Sequence, residues 1–162
     1  MQENGADAAA AGGVSAGSPV REVRLPGPPP DEITLQVAEV LTEGPGRGDF
    51  ALAVRVTTPH LHFREDHLWV EWASFDAFLR EFEALAVTRS GRARLPLMGG
   101  HALEFFTVSG TADLAVRGRF TSHTRVGRTT LPTVVDFHTS LGAEFVEGAR
   151  ADFRRLPGEA PL

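Results

Sequence analysis

The sequence predicts an α+β domain: a mainly antiparallel, curved sheet of about six or seven strands with two helices, one mid-chain and one C-terminal. Three observations carry this. Most of the chain alternates apolar and polar residues with the period of two that marks half-buried strands. At Leu68–Leu85, LWVEWASFDAFLREFEAL, the period switches from two to that of a helix. A second helical pattern closes the chain at Leu141–Leu156. Strands that run in groups, with helices segregated from them, describe α+β rather than α/β architecture.

The central stretch organises the rest. Leu68, Val70 and Trp72 point one way, Trp69 and Glu71 the other. Ser74 offers an N-cap oxygen, and Asp76 stands where a helix N-terminus favours negative charge. Phe75, Phe78, Leu79, Phe82 and Leu85 then form one apolar stripe, with Arg80, Glu81 and Glu83 on the wet side. Burial of the five apolar side chains contributes roughly 8–15 kcal/mol before conformational entropy is subtracted. Such a stripe requires a sheet to cover.

Before it, residues 1–30 are rich in Ala, Gly, Ser and Pro and read as a disordered tail, leaving a domain at 31–157 and a short disordered end at 158–162. The tail holds Gly13-Val14-Ser15-Ala16-Gly17, which matches the hydrolase nucleophile pattern in letters but has neither the preceding strand nor the following helix. Ile33, Leu35 and Val37 alternate, as do Phe50, Leu52, Val54 and Val56, and the Gly-rich segment between them predicts a hairpin. Arg47-Gly48-Asp49 in that loop reads as turn chemistry rather than as an adhesion tripeptide. His60–Phe63 is a candidate short strand, with Arg64–His67 a turn.

After the helix, Val87–Arg94 reads as a linker and Leu95–Gly100 as irregular. Three strands follow, around Leu103–Thr107, Leu114–Phe120 and Leu131–Phe137. Polar turns separate them, the second at Arg125–Thr130, and Gly118 marks a bulge or a close approach. In the last helix, Thr139 or Ser140 is a candidate cap and Val146, Ala149 and Phe153 share a face. No internal repeat is detectable.

Composition narrows the chemistry. The chain has 162 residues, 42% hydrophobic, enough for one domain with a true core, and a formal charge of −5 that disfavours generic nucleic-acid or membrane-surface binding. Cysteine is absent, which removes disulfides and thiolate chemistry and fits a reducing cytoplasm. All basic residues are arginine, so Schiff-base lysine chemistry and a P-loop lysine are excluded. Arg, Ala and Gly in place of Lys suggest a GC-rich bacterial genome. No signal peptide or membrane span is visible, so the expected location is the cytoplasm.

Several segments resemble the WapI-like immunity proteins encoded beside polymorphic contact-dependent toxins, and related actinobacterial domains. They are Ser74–Leu79 with Leu85, Gly91-x-Ala93-x-Leu95, Ala102–Phe105, Val116-x-Gly118-x-Phe120 and Asp136–Leu141. The resemblance covers about residues 33 to 156, departing from the family where Phe137-His138 separates Asp136 from Thr139. It implies a non-catalytic protein that binds a partner, in that family a toxin.

Two constellations compete with that expectation. His60 and His62 form an H-x-H pair that His67 could join around a metal; the same pattern arises from histidines on a wet edge strand, and no metal is assigned. Asp136 and His138, with Ser122-His123 or Ser140, make a hydrolytic triad on paper, but no nucleophile elbow or oxyanion hole accompanies them, and no catalytic residue or cofactor is assigned. Charge is more informative. Residues 64–83 are net acidic and residues 84–130 net basic, through Arg89, Arg92, Arg94, Arg117, Arg119, Arg125 and Arg128. Either the two surfaces neutralise one another across the fold, or the acidic edge faces a basic partner such as a nuclease toxin. On the second reading, Trp69, Glu71, Glu81 and Glu83 form the partner-binding surface. The alternative function is a small-molecule site, with an apolar pocket lined by Phe105, Phe106 and Phe120 between the sheet and the C-terminal helix.

Overall fold

The computed structural model describes residues 21–158; the Gly13–Gly17 segment and the ends of both expected tails lie outside them. The α+β class holds, with helices mid-chain and at the C-terminal side, but the strands among the described residues number eight and form two four-stranded antiparallel sheets. The first sheet comprises β1 (Glu22–Pro26), β2 (Glu32–Val40), β3 (Phe50–Thr58) and β4 (Leu61–Val70), in chain order, and leads into α1 (Trp72–Thr88). The second comprises β5 (Arg92–Leu97), β6 (His101–Thr107), β7 (Leu114–Val126) and β8 (Thr129–Leu141), and leads into α2 (Ala143–Arg155). The chain is therefore two successive ββββα units, a repeat of structure that the letters of the sequence do not show.

Both extra strands arise where composition misled. Residues 21–30 read as tail because of their prolines, yet Val23 and Leu25 alternate with Arg24, pair with Leu35 and Ile33, and are buried. The supposed linker and irregular stretch likewise form β5, whose Ala93, Leu95 and Leu97 are buried on one face. The segment 64–67 is a bulge within one long β4 rather than a turn: the register slips between Leu52 and Val54, with His67 at φ 59°.

The helices also begin differently from the expectation. Trp72 is the first helical residue rather than the end of a strand, Glu71 occupies the N-cap, and Ser74 lies inside the helix. The orphan N–H of Trp72 instead donates to Asp49 Oδ1 at 2.8 Å, from the loop before β3. In α2, neither Thr139 nor Ser140 caps. The Ala143 N–H donates to Asp113 Oδ1 at 2.9 Å, while Thr139 Oγ1 donates to Asp31 Oδ2 at 2.7 Å and ties β8 to the β1–β2 turn. α1 ends at Arg89, in the left-handed region at φ 52°, whose N–H returns to Leu85 O.

The two units interlock. α1, which follows the first sheet, packs against β5 of the second, and α2, which follows the second, packs against β1 of the first; the helices also touch each other. The sheets meet at two seams, β4 beside β5, where Met98 N–H donates to Trp69 O at 2.9 Å, and β1 beside β8. One core results, with Phe75, Phe78 and Phe82 of α1 meeting Phe50 of β3, Phe105 of β6 and Phe153 of α2 at ring separations of 5.0–5.8 Å.

Candidate binding surface

The two units differ most at their last hairpin. β3 and β4 turn at Pro59-His60, whereas β7 and β8 run on as 13-residue strands joined only by Gly127-Arg128. The polar turn expected at Arg125–Thr130 is thus mostly strand. From Ser122 to Val134 every residue is exposed, so this part of the hairpin has no core of its own. At about 3.3 Å per residue, the arm projects roughly 15–20 Å. It presents Val126, Leu131 and Val134 at 57%, 49% and 47% exposure, together with Arg125 and Arg128. Its root is well fixed: His101 Nδ1 accepts the Thr121 N–H at 3.0 Å, and the Phe120 ring stacks on His101 and Phe137. Gly118 permits that packing. The Phe137 ring lies across the cross-strand position where a Cβ of residue 118 would stand, so the glycine marks a close approach and not a bulge.

The arm continues a charged sheet face. On the second sheet, Leu95, Leu103, Phe105, Val116 and Phe120 face the core, so the alternate residues face outward. Arg94, Glu104, Arg117 and His138 lie directly across from one another on four adjacent strands. Pro96, Ala102, Arg119 and Asp136 form the next row. Arg94 is 3.7 Å from Glu104 and Arg119 is 3.9 Å from Asp136. Arg117, half-buried between them, makes no ion pair or side-chain hydrogen bond among the described residues. Arg94, Arg117 and Arg119 surround a cleft of about 190 Å³, with Gly100, Ala102 and Glu104 completing its wall.

The acidic residues expected to form a free patch are divided. Glu83, 29% exposed in its side chain, faces α2, paired with Arg154 and, at 3.7 Å, with Arg150. Glu81 Oε2 accepts the backbone N–H of Arg94 at 3.0 Å. Glu71 is exposed at the helix start and Trp69 is half-buried on β4. Much of the acidic face of α1 is therefore answered within the fold. Away from this surface, the Glu22 carboxylate, hydrogen bonded to Arg24, raises that guanidinium's pKa further above its ordinary value.

Other candidates are separated or filled. His60 stands in the β3–β4 turn, His62 on the strand and His67 at the bulge, all exposed; among the described residues no three His, Cys, Asp or Glu side chains gather as a metal site. Asp136 is paired with Arg119, Ser140 lies four residues away on the same strand, and Ser122-His123 belong to the exposed arm. Phe105 and Phe120 are fully buried among other rings, while Phe106 is on the opposite face of β6, so the three do not line one pocket. Gly48 is buried and Asp49 is the helix-capping residue, which accounts for Arg47-Gly48-Asp49 as turn chemistry. The arm was missed in the sequence because Thr, Ser, Arg and Gly there read as a turn; the signal was the unbroken alternation of Phe120, Ser122, Thr124 and Val126 opposite Thr129–Val135. No helix among the described residues is long and apolar enough to cross a membrane. No protein family, curated protein or solved structure matches the chain.

Proposed function

We propose that the protein is a non-catalytic module that binds a protein partner stoichiometrically through the β7–β8 arm and the outer face of the second sheet. In the setting its resemblance implies, the partner is a toxin that the module occludes in the cytoplasm. The observation that carries this reading is the arm itself. A two-stranded ribbon exposed on both faces gains little stability from its own contacts, yet here it keeps aliphatic side chains in water. Aliphatic side chains interleaved with arginine have the composition of a protein interface, where arginine is enriched. They suit a phosphate backbone less well, since it offers nothing to Val126, Leu131 or Val134. The partner charge that fits is acidic, because Glu81 and Glu83 are engaged internally while arginines outnumber carboxylates around the cleft and Arg117 makes no ion pair there among the described residues.

The test is a variant in which residues 122–133 are replaced by Asn-Gly, closing the hairpin at its root. Co-expressed with the protein encoded immediately upstream, the full-length chain should form a 1:1 complex on size exclusion and, if that protein is toxic, restore growth. The shortened variant, folded by circular dichroism, should do neither. A shortened variant that binds as well as the parent would remove the arm from the interface.

A further inference from the structure

We infer that the cleft bounded by Arg94, Arg117 and Arg119 receives a carboxylate side chain of the partner, making it a specificity pocket within the surface proposed above. The inference rests on the reading of the partner as a protein. It starts from the unequal situation of the three guanidinium groups. Arg94 lies beside Glu104 and Arg119 beside Asp136, whereas Arg117, across from Glu104 in the register, is half-buried and makes no ion pair of its own among the described residues. A partly desolvated guanidinium carries five donors, and water satisfies them less completely inside a cleft than in bulk solvent. A carboxylate accepts two of them in parallel, which is the geometry a guanidinium fork presents.

The shape of the cleft agrees with its charge. Ala102, nearly buried, forms its floor beside the exposed Gly100 of the β5–β6 turn, and three long cationic side chains stand around them. About 190 Å³ is room for one acidic side chain head with a few waters, since a water takes about 30 Å³. Three arginines against Glu104 leave the cleft with two surplus positive charges, and Asp136 beside Arg119 reduces this to one. One monoanionic carboxylate balances that surplus. A dianionic phosphate would be brought against Glu104 and Asp136, and would gain less. The same sheet face continues into Val134 on the arm, so a partner seated in the cleft also covers apolar surface.

The experiment uses the full chain and fluorescein-labelled peptides of about eight residues, one alternating Glu and Ser and its counterpart alternating Gln and Ser, read by anisotropy at low salt. The Glu–Ser peptide should bind, the Gln–Ser peptide should not, and moderate salt should weaken binding. Arg117→Ala should weaken Glu–Ser binding about tenfold, and Arg117→Lys, which keeps the charge but loses the fork, by a smaller factor. Arg94→Gln, at an exposed position, and Ala102→Leu, which fills the floor without changing charge, serve if Arg117→Ala does not fold; both should weaken binding. Equal binding of the two peptides would overturn the inference, as would Glu–Ser affinity unchanged in the folded cleft variants. Displacement of the Glu–Ser peptide by an equally charged oligothymidylate at lower concentration would reassign the cleft to nucleic acid. If shortening the arm abolishes the partner complex while the cleft variants retain it, the carboxylate pocket falls and the binding-module reading stands.

Discussion

Asp49 and Asp113 do the same work in the two halves of the chain. Each stands immediately before the third strand of its unit, and each accepts the N–H of the first residue of the helix that closes that unit, at 2.8 Å from Trp72 and 2.9 Å from Ala143. The strand pairs beside them correspond as well: Phe50 faces Val70, and Leu114 faces Leu141. A helix start here is held by a residue more than twenty positions away, which couples each hairpin to its helix.

That coupling is measurable. Asp49→Ala and Asp113→Ala should each destabilise the protein by about 1–2 kcal/mol in urea denaturation, and Asn at either position by less, because its carbonyl oxygen still accepts the bond. The transition should remain single in both variants, since Phe78 of the first unit packs on Phe105 and Phe153 of the second.

Gly118 is a second sharp site. Gly118→Ala places a methyl group against the Phe137 ring and should cost roughly 2–3 kcal/mol. Combining it with Phe137→Leu should cost less than the two single changes added together. A denaturation cycle over the four proteins measures that coupling, and simple additivity would show that the ring moves aside freely.

The acidic side chains of α1 should separate by their contacts. Glu83→Arg sets three arginines against one another and should lower stability by about 1 kcal/mol or more, whereas Glu71→Arg should cost only a few tenths. Glu81→Arg removes the acceptor for the Arg94 N–H and should fall between them. Reversing all three charges together should therefore lower the melting temperature.

On the arm, Val126→Ser, Leu131→Ser and Val134→Ser should leave stability within about 0.5 kcal/mol each, because these side chains are already exposed in the folded state. Partner affinity should drop in the triple variant while its melting curve overlays that of the parent.

The elements with strong local periodicity were legible in the sequence. The Phe75–Leu85 stripe, the β2–β3 hairpin and the second helix stand where the apolar spacing places them, because burial of one face dictates period without reference to any partner. β1 and β5 were lost because proline and arginine outweighed two or three alternating apolar residues in each. Helix starts were misplaced because the capping groups come from Asp49 and Asp113, which no local pattern connects to Trp72 and Ala143.

The candidate surface was legible only as composition. The order of residues alone establishes that the chain is α+β, that its core is aromatic, that it carries no thiol or lysine chemistry and that its charge is divided into an acidic and a basic stretch. Which stretch remained open was decided by the tertiary structure. Packing of α2 against α1 brings Arg150 and Arg154 to Glu83, which is charge-paired within the fold, and the start of β5 brings the Arg94 N–H to Glu81 as a hydrogen-bond donor. The register of β5, β6 and β7 instead sets Arg94 and Arg117 on either side of Glu104 and Arg119 in the next row, so one carboxylate stands between two guanidinium groups and pairs with Arg94. Charge in a sequence is a property of side chains one at a time; whether a charge is free depends on which backbones lie about 5 Å apart, and only the folded sheets set that.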